Sequence, residues 1–300
     1  SPTGDALPVP VPEPLTDLLK LPLVHDLRGR FRDSVAAYDW ALRELMPRCN
    51  RRFAHSVDGL VDGFHAGFCQ MAGFDWPVMH RGFVYNLCAV PTLLPSYGDS
   101  KVGGSPEQAA MHARILAALE PPAMITGYGE PEGEWCQLIS RHGHYSFHFG
   151  PNWSFHTGIR PRHKTLRQQH AFTPNNVQPE PDKFYVCLMT SEGDTMKGPI
   201  PFFFDSWWER ERGSVPVNWG INPLMAQYFP AMLEFFYETA TPADYFFAGC
   251  SGAGYCYPDN MPNLEQFARF TARACRLADI SCIDVWGMNK ADVARRYAEL

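Results

Sequence analysis

Apolar positions along this 300-residue chain change period repeatedly, and each change marks an element. Val35, Tyr38, Leu42 and Leu45 share one helical face, which predicts a helix over 33–46 that Pro47 stops. A strand reading at 83–90 gives way to a helix over 105–119, opened by a capping box of Ser105 and Gln108. A short strand at 123–126, a helix at 134–142 and a strand at 145–149 follow. The next stretch, 150–182, is polar, holds Pro161, Pro174, Pro179 and Pro181, and lacks periodicity.

The second half is more regular. The nearly unbroken apolar run 184–190 predicts a buried strand, and further strands are expected at 215–219, 245–248 and 280–285. Between them, Asn222 and Pro223 provide a cap and first position for a helix carrying Leu224, Tyr228 and Met232. Asn263 caps another with Leu264, Phe267, Phe270, Ala274 and Leu277 on one side, and 290–300 begins a last helix. Strands alternating with helices at this spacing pair in parallel through right-handed crossovers. A (β/α) barrel and an open doubly wound sheet both fit; the expected class is α/β, with a TIM-barrel-like second half and a smaller α/β amino-terminal lobe. The divisions expected are a Pro-rich extended tail (1–22), the lobe (23–160), a linker or long loop (161–182) and the second domain (183–300). The helical pattern running into the last residue implies that this domain is cut short.

Composition narrows the function. A net charge of -6 without a basic run gives nucleic acid nothing to bind. No apolar run reaches the length of a membrane span. Nine cysteines, an odd number without CxxC spacing, speak against a disulfide framework and a zinc knuckle, so most are expected to be reduced.

In parallel α/β architectures ligands bind at the carboxyl ends of strands, so the residues just beyond each strand carry the argument. There the chain places Glu192 and Asp194, then Asn222, then the loop 249–260, then Asp284, Trp286 and Asn289. All these ends are expected on one edge. In the first half the matching loop is 127–134, with Glu130, Glu132 and Glu134; these acids read more readily as a solvated helix start. Glu192 and Asp194, separated by one glycine, can share acid–base work, or can merely cap the next segment. His142, His144, His148 and His156 match no metal-ligand spacing and read as packing or surface residues. No metal and no cofactor is expected. Trp219 can pack the core or stack on a sugar ring. Ser251, Gly252, Gly254, Tyr255, Tyr257, Asp259 and Asn260 form the most specific run. Its glycines permit positive φ or close approach of a ligand to the backbone, its tyrosines offer stacking faces and hydroxyls, and no phosphate-loop pattern is present.

With that run at 252–258, the chain resembles the GxGYxYP putative glycoside hydrolase family. The likeness takes in the helix at 36–42 with Cys49 and Asn50, the stretch 124–148, and 184–286. It implies a class of activity, hydrolysis of a poly- or oligosaccharide, and not a mechanism; the residues themselves offer Glu192 and Asp194 as acid–base candidates, Tyr255 and Tyr257 to shape a subsite, and Trp219 as a platform. A carbohydrate ligand and an exported or extracellular location follow from the same likeness. Where the family commonly has Asp-Gly-Asp-Asn, this chain has Glu192, Gly193, Asp194 and Thr195. That change keeps two alternatives in play: a non-catalytic carbohydrate-binding module, and a metal-dependent hydrolase or deacetylase working through Asp194 and a histidine.

Overall fold

The computed structural model describes residues 22, 24–57, 75–92, 94–95, 101–102, 104–129, 131–147, 153–170, 178–190, 203–287 and 291–299. Its strands are β1 (Phe53–Ser56), β2 (Phe83–Tyr85), β3 (Leu94–Pro95), β4 (Lys101–Val102), β5 (Met124–Gly127), β6 (Tyr145–Ser146), β7 (Val217–Ile221) and β8 (Asp244–Ala248). The α-helices of the first half are α1 (Ser34–Glu44), α2 (Asp75–Met79), α3 (Pro106–Ala117), α4 (Glu132–Arg141) and α5 (Trp153–Gly158). Those of the second are α6 (Phe203–Trp207), α7 (Met225–Tyr228), α8 (Pro230–Glu238), α9 (Leu264–Ala278) and α10 (Ala291–Ala298).

β2, β1, β5 and β6 form a four-stranded parallel sheet in that order. Side chains alternate across it. Ala54, Phe83, Tyr85 and Ile125 point to one face, packed with Ile115 and Leu116 of α3 and Trp135 and Ile139 of α4. Phe53, Met124 and Tyr145 point to the other, where Trp76 of α2, Trp153 of α5 and the core of the second half meet them. Helices thus cover both faces, as parallel sheets require. α1 starts where expected, Asp33 accepting the Ala36 amide at 2.8 Å, and Ser105 caps α3 in the same way.

β7 and β8 pair in parallel, and single parallel bridges add Met189 beside Asn218 and Ile283 beside Ala248. The four segments therefore lie in chain order, with the ends at 190, 221, 248 and 285 on one edge. Three expectations need correction here. Phe184 and Val186 are 102% and 83% exposed, because 184–189 bonds along β7 but packs into neither core cluster. The helix expected after Asn222 is two helices, since Pro230 cannot continue α7 and Phe229 leaves the helical region (φ -136, ψ 47). Leu277 is 56% exposed; the buried stripe of α9 runs through Leu264, Phe267, Thr271, Ala274 and Ala278 instead.

Candidate functional site

The loop after β8 does not stay with its own sheet. Tyr255 exchanges backbone hydrogen bonds with Ser146, 2.8 Å in each direction, and so adds one antiparallel rung to β6 of the other sheet. This rung brings the carboxyl ends of β5, β6 and β8 to one place. The loop bends there through three consecutive residues of positive φ, Cys250 (49°), Ser251 (77°) and Gly252 (104°). Ser251 is fully buried and holds the bend: its Oγ donates to the Cys256 carbonyl (2.8 Å) and accepts from the Trp286 amide (3.1 Å).

Tyr255 and Tyr257 project from this bend with their hydroxyls 2.9 Å apart and their rings 5.6 Å apart. Trp286 meets the Tyr255 ring edge-on, and its indole N–H donates to Asp284 at 2.7 Å. The last turn of α4 closes the cluster from the side, for the Tyr257 amide donates to Ser140 Oγ at 2.9 Å. Tyr128, just past β5, donates its hydroxyl to Glu132 at 2.8 Å. Burial, then the nearby Cys136, Tyr257 and Glu132, hold the Tyr255 hydroxyl far above its ordinary range. Burial also raises Tyr257, against the lowering effect of its bond to Tyr255. Both phenols therefore stay protonated at neutral pH. Tyr255 is 4% exposed, whereas Tyr257, Trp286, Asp284 and Glu132 are half-buried. The cluster thus gathers aromatic faces and phenol hydroxyls, with Asp284 held at Trp286 and Glu132 at Tyr128.

A second polar group lies behind it. The sheet order β2-β1-β5-β6 reverses direction between β1 and β5, the position where open parallel sheets accept ligands. Across this pair His55 Nδ1 lies 2.8 Å from Thr126 Oγ1, which donates to the Ala54 carbonyl at 3.2 Å. With its proton committed, Thr126 can only accept, which makes Nδ1 the protonated nitrogen of His55. Gly127 (φ 85°) sits so close to Ser56 that any Cβ would overlap the Ser56 carbonyl.

One of the two expectations for the motif's glycines is met at Gly252, whose φ is 104°. A Cβ on Gly252 would collide with Thr271 Cγ2 of α9, and one on Gly254 would lie 2.5 Å from the Ser146 carbonyl. At both glycines the chain itself makes a close approach. Trp219 is displaced from its expected role: it is 5% exposed, packs edge-on against Trp207 and donates to Asp244 at 2.8 Å. Asn222 is fully buried and caps the next turn through the Leu224 amide. Asp259 and Asn260 lie half-buried in the turn Pro258–Asn260 beside the cluster. Glu192, Asp194, Asn289, Glu130 and His148 fall outside the described residues.

The histidines that drew attention are packed. His144 accepts the Ala123 amide at Nδ1 and donates from Nε2 to the Leu116 carbonyl; burial holds it down to about 4. His142 binds the Leu138 carbonyl within its own helix, and His156 lies against Phe229. Among the described residues a possible cation-binding group does occur at His163, Glu234 and Glu238, with ligand atoms within 4.8 Å of one another. Yet Glu234 already accepts the Arg162 and His163 amides, and Arg162 pairs with both glutamates. This group fastens 162–163 to α8. Of the clustered residues, Tyr128 was not singled out in the sequence, while Glu132 and Trp286 were marked by their position beyond a strand.

Residues 182–299 match the GxGYxYP putative glycoside hydrolase C-terminal domain. The GxGYxYP match therefore contains the loop, Asp284 and Trp286, while Tyr128 and Glu132 come from outside it. Among solved structures, the chain is similar to a putative hydrolase from Bacteroides thetaiotaomicron VPI-5482, with a TM-score of 0.74 and 20% identity. The superposition covers 96% of this chain and 52% of that one, so this chain spans about half that protein's length. At that identity the likeness is one of fold, mixed α/β with parallel strands alternating with helices. No curated protein matches the chain.

Proposed function

We propose that this protein hydrolyses glycosidic bonds of a poly- or oligosaccharide at the tyrosine-lined edge. The observation that carries the reading is the joining of Tyr255, Tyr257, Trp286, Asp284 and Glu132 by a GxGYxYP loop. Trp286 and Tyr257 bound the sugar ring, and the protonated phenols donate to its hydroxyls. Asp194 and Glu192 supply the acid–base pair. One carboxyl protonates the leaving glycosidic oxygen; the other, as carboxylate, attacks the anomeric carbon or activates the water that does. What supports this assignment is that the chain reaches Thr190 beside Gly220, whose amide donates to Thr190 Oγ1 at 2.8 Å, at the carboxyl side of β7. A (β/α) barrel for 183–300 is part of the proposal, favoured by four parallel segments in chain order.

The test is release of reducing ends from a polysaccharide panel. Asp194→Asn is expected to lower turnover about 100-fold or more, the usual worth of a general acid or base, and Tyr257→Phe to raise KM with little change in kcat. Binding of a panel member without any hydrolysis would make the protein a carbohydrate-binding module. Activity abolished by a chelator and restored by a divalent ion would favour the metal-dependent alternative.

A further inference from the structure

At the opposite end of the sheet strands lies a cavity of about 530 Å³. It opens at the amino ends of β1, β5 and β6, whose first residues Phe53, Met124 and Tyr145 form part of its wall, and α7 and α9 of the second half close over it. The size suits a small organic molecule. The inference drawn from it does not depend on the glycosidase reading.

Three properties of the lining define a ligand. The first is aromatic surface: Trp76, Tyr145, Tyr228 and Phe270 line the cavity, with Trp76 and Tyr228 edge-to-face at 5.5 Å. The second is charge. Arg52 and Arg273 line the cavity and no described carboxylate does. Arg51 and Arg52 share the single carboxylate of Glu120, at 3.1 and 3.6 Å, and Arg273 makes no ion pair among the described residues. The mouth therefore carries an uncompensated positive charge. The third is an unmet hydrogen bond. Tyr145 is 4% exposed, and neither its hydroxyl nor that of Tyr228 has a hydrogen-bond partner among the described residues. Both hydroxyls can therefore donate to an acceptor placed in the cavity. Gln227 and Gln266 add amides at the rim.

We propose that this cavity is a second ligand site, for a small organic anion that carries a carboxylate or phosphate on a ring. Arg52 and Arg273 hold the anionic group, the aromatic wall receives the ring, and the two phenols donate to its oxygens. Guanidinium groups suit the anion because their planar donors match two oxygens at once.

Isothermal titration of the whole chain tests this with four probes: phenyl phosphate, benzoate, benzyl alcohol and inorganic phosphate. Phenyl phosphate and benzoate are expected to bind; benzyl alcohol and inorganic phosphate each bind about tenfold more weakly or worse, one lacking the charge and the other the ring. Arg273→Gln, at an exposed position, lowers affinity for phenyl phosphate about tenfold, and Tyr228→Phe lowers it severalfold. Glu120→Gln frees Arg52 and tightens binding, a change in the opposite direction that misfolding does not produce. The proposal is overturned if neither ring anion binds, if benzyl alcohol or inorganic phosphate binds as tightly as phenyl phosphate, or if Arg273→Gln and Glu120→Gln both leave affinity unchanged.

Discussion

A left-handed backbone at Gly252, pressed against Thr271, fixes the course of the tyrosine loop together with the hydrogen bonds of Ser251. Gly252→Ala meets both a conformational penalty and a clash, and is expected to destabilise the fold by about 1–3 kcal/mol or more. Adding Thr271→Ser removes the colliding methyl and recovers only part of the loss, because the φ strain stays; urea unfolding of the single and double variants measures both parts. The glycine pair and the positive φ at Gly252 were legible in the sequence, but the tight packing was not, since Thr271 and Ser146 come from remote elements. His112 and His144 give a pH signature at the same scale. Burial lowers both from 6.5 to about 4, so the unfolded chain takes up protons that the native one refuses. Their contribution is complete above pH 6.5 and is lost as pH falls from there toward 4, by at most about 3 kcal/mol for each histidine. Unfolding midpoints across this range are expected to fall less steeply with acidification for His144→Gln than for the unaltered chain, at the cost of a lower value near neutrality.

At the scale of elements, Asp244 adds a side-chain link between β7 and β8 to the one their ladder makes. This carboxylate, 3% exposed, accepts from the Trp219 indole, the Thr241 amide and hydroxyl, and Arg212, which also lies 4.0 Å above the Trp207 ring. Asp244→Ala leaves a guanidinium and an indole N–H buried without an acceptor, and about 3–5 kcal/mol of stability goes with it. Asp244→Asn keeps part of the network and costs less; thermal unfolding distinguishes the two. Long amphipathic helices such as Ser34–Glu44, Pro106–Ala117 and Leu264–Ala278 were legible because each repeats its apolar face over several turns. The strand Phe53–Ser56 was not: four buried residues on both faces leave no alternation to see. Likewise the apolar run 184–189 reads as buried by composition alone, yet it lies at an edge with its side chains in solvent.

For the whole molecule, the order of strands decides what the sequence could reveal of the site. Parallel pairing made the edge legible, and with it the loop 249–260, Asp284 and Trp286. It did not show that the loop would cross to β6, because a single antiparallel rung between remote segments leaves no periodic trace. That rung has a consequence for how the chain can be divided. The matched segment 182–299 carries the motif, but the strand against which Tyr255 registers and the helix that receives Tyr257 are both encoded before residue 150. Transplanted to another scaffold, or expressed by itself, this segment is expected to keep its helices while the tyrosine loop loses its conformation. Hydrogen exchange at the Tyr255 and Tyr257 amides would report it, slow in the intact chain and fast in the fragment. Supplying 1–160 as a separate chain should slow exchange again, so the unit that inheritance can shuffle is larger than the one its motif delineates.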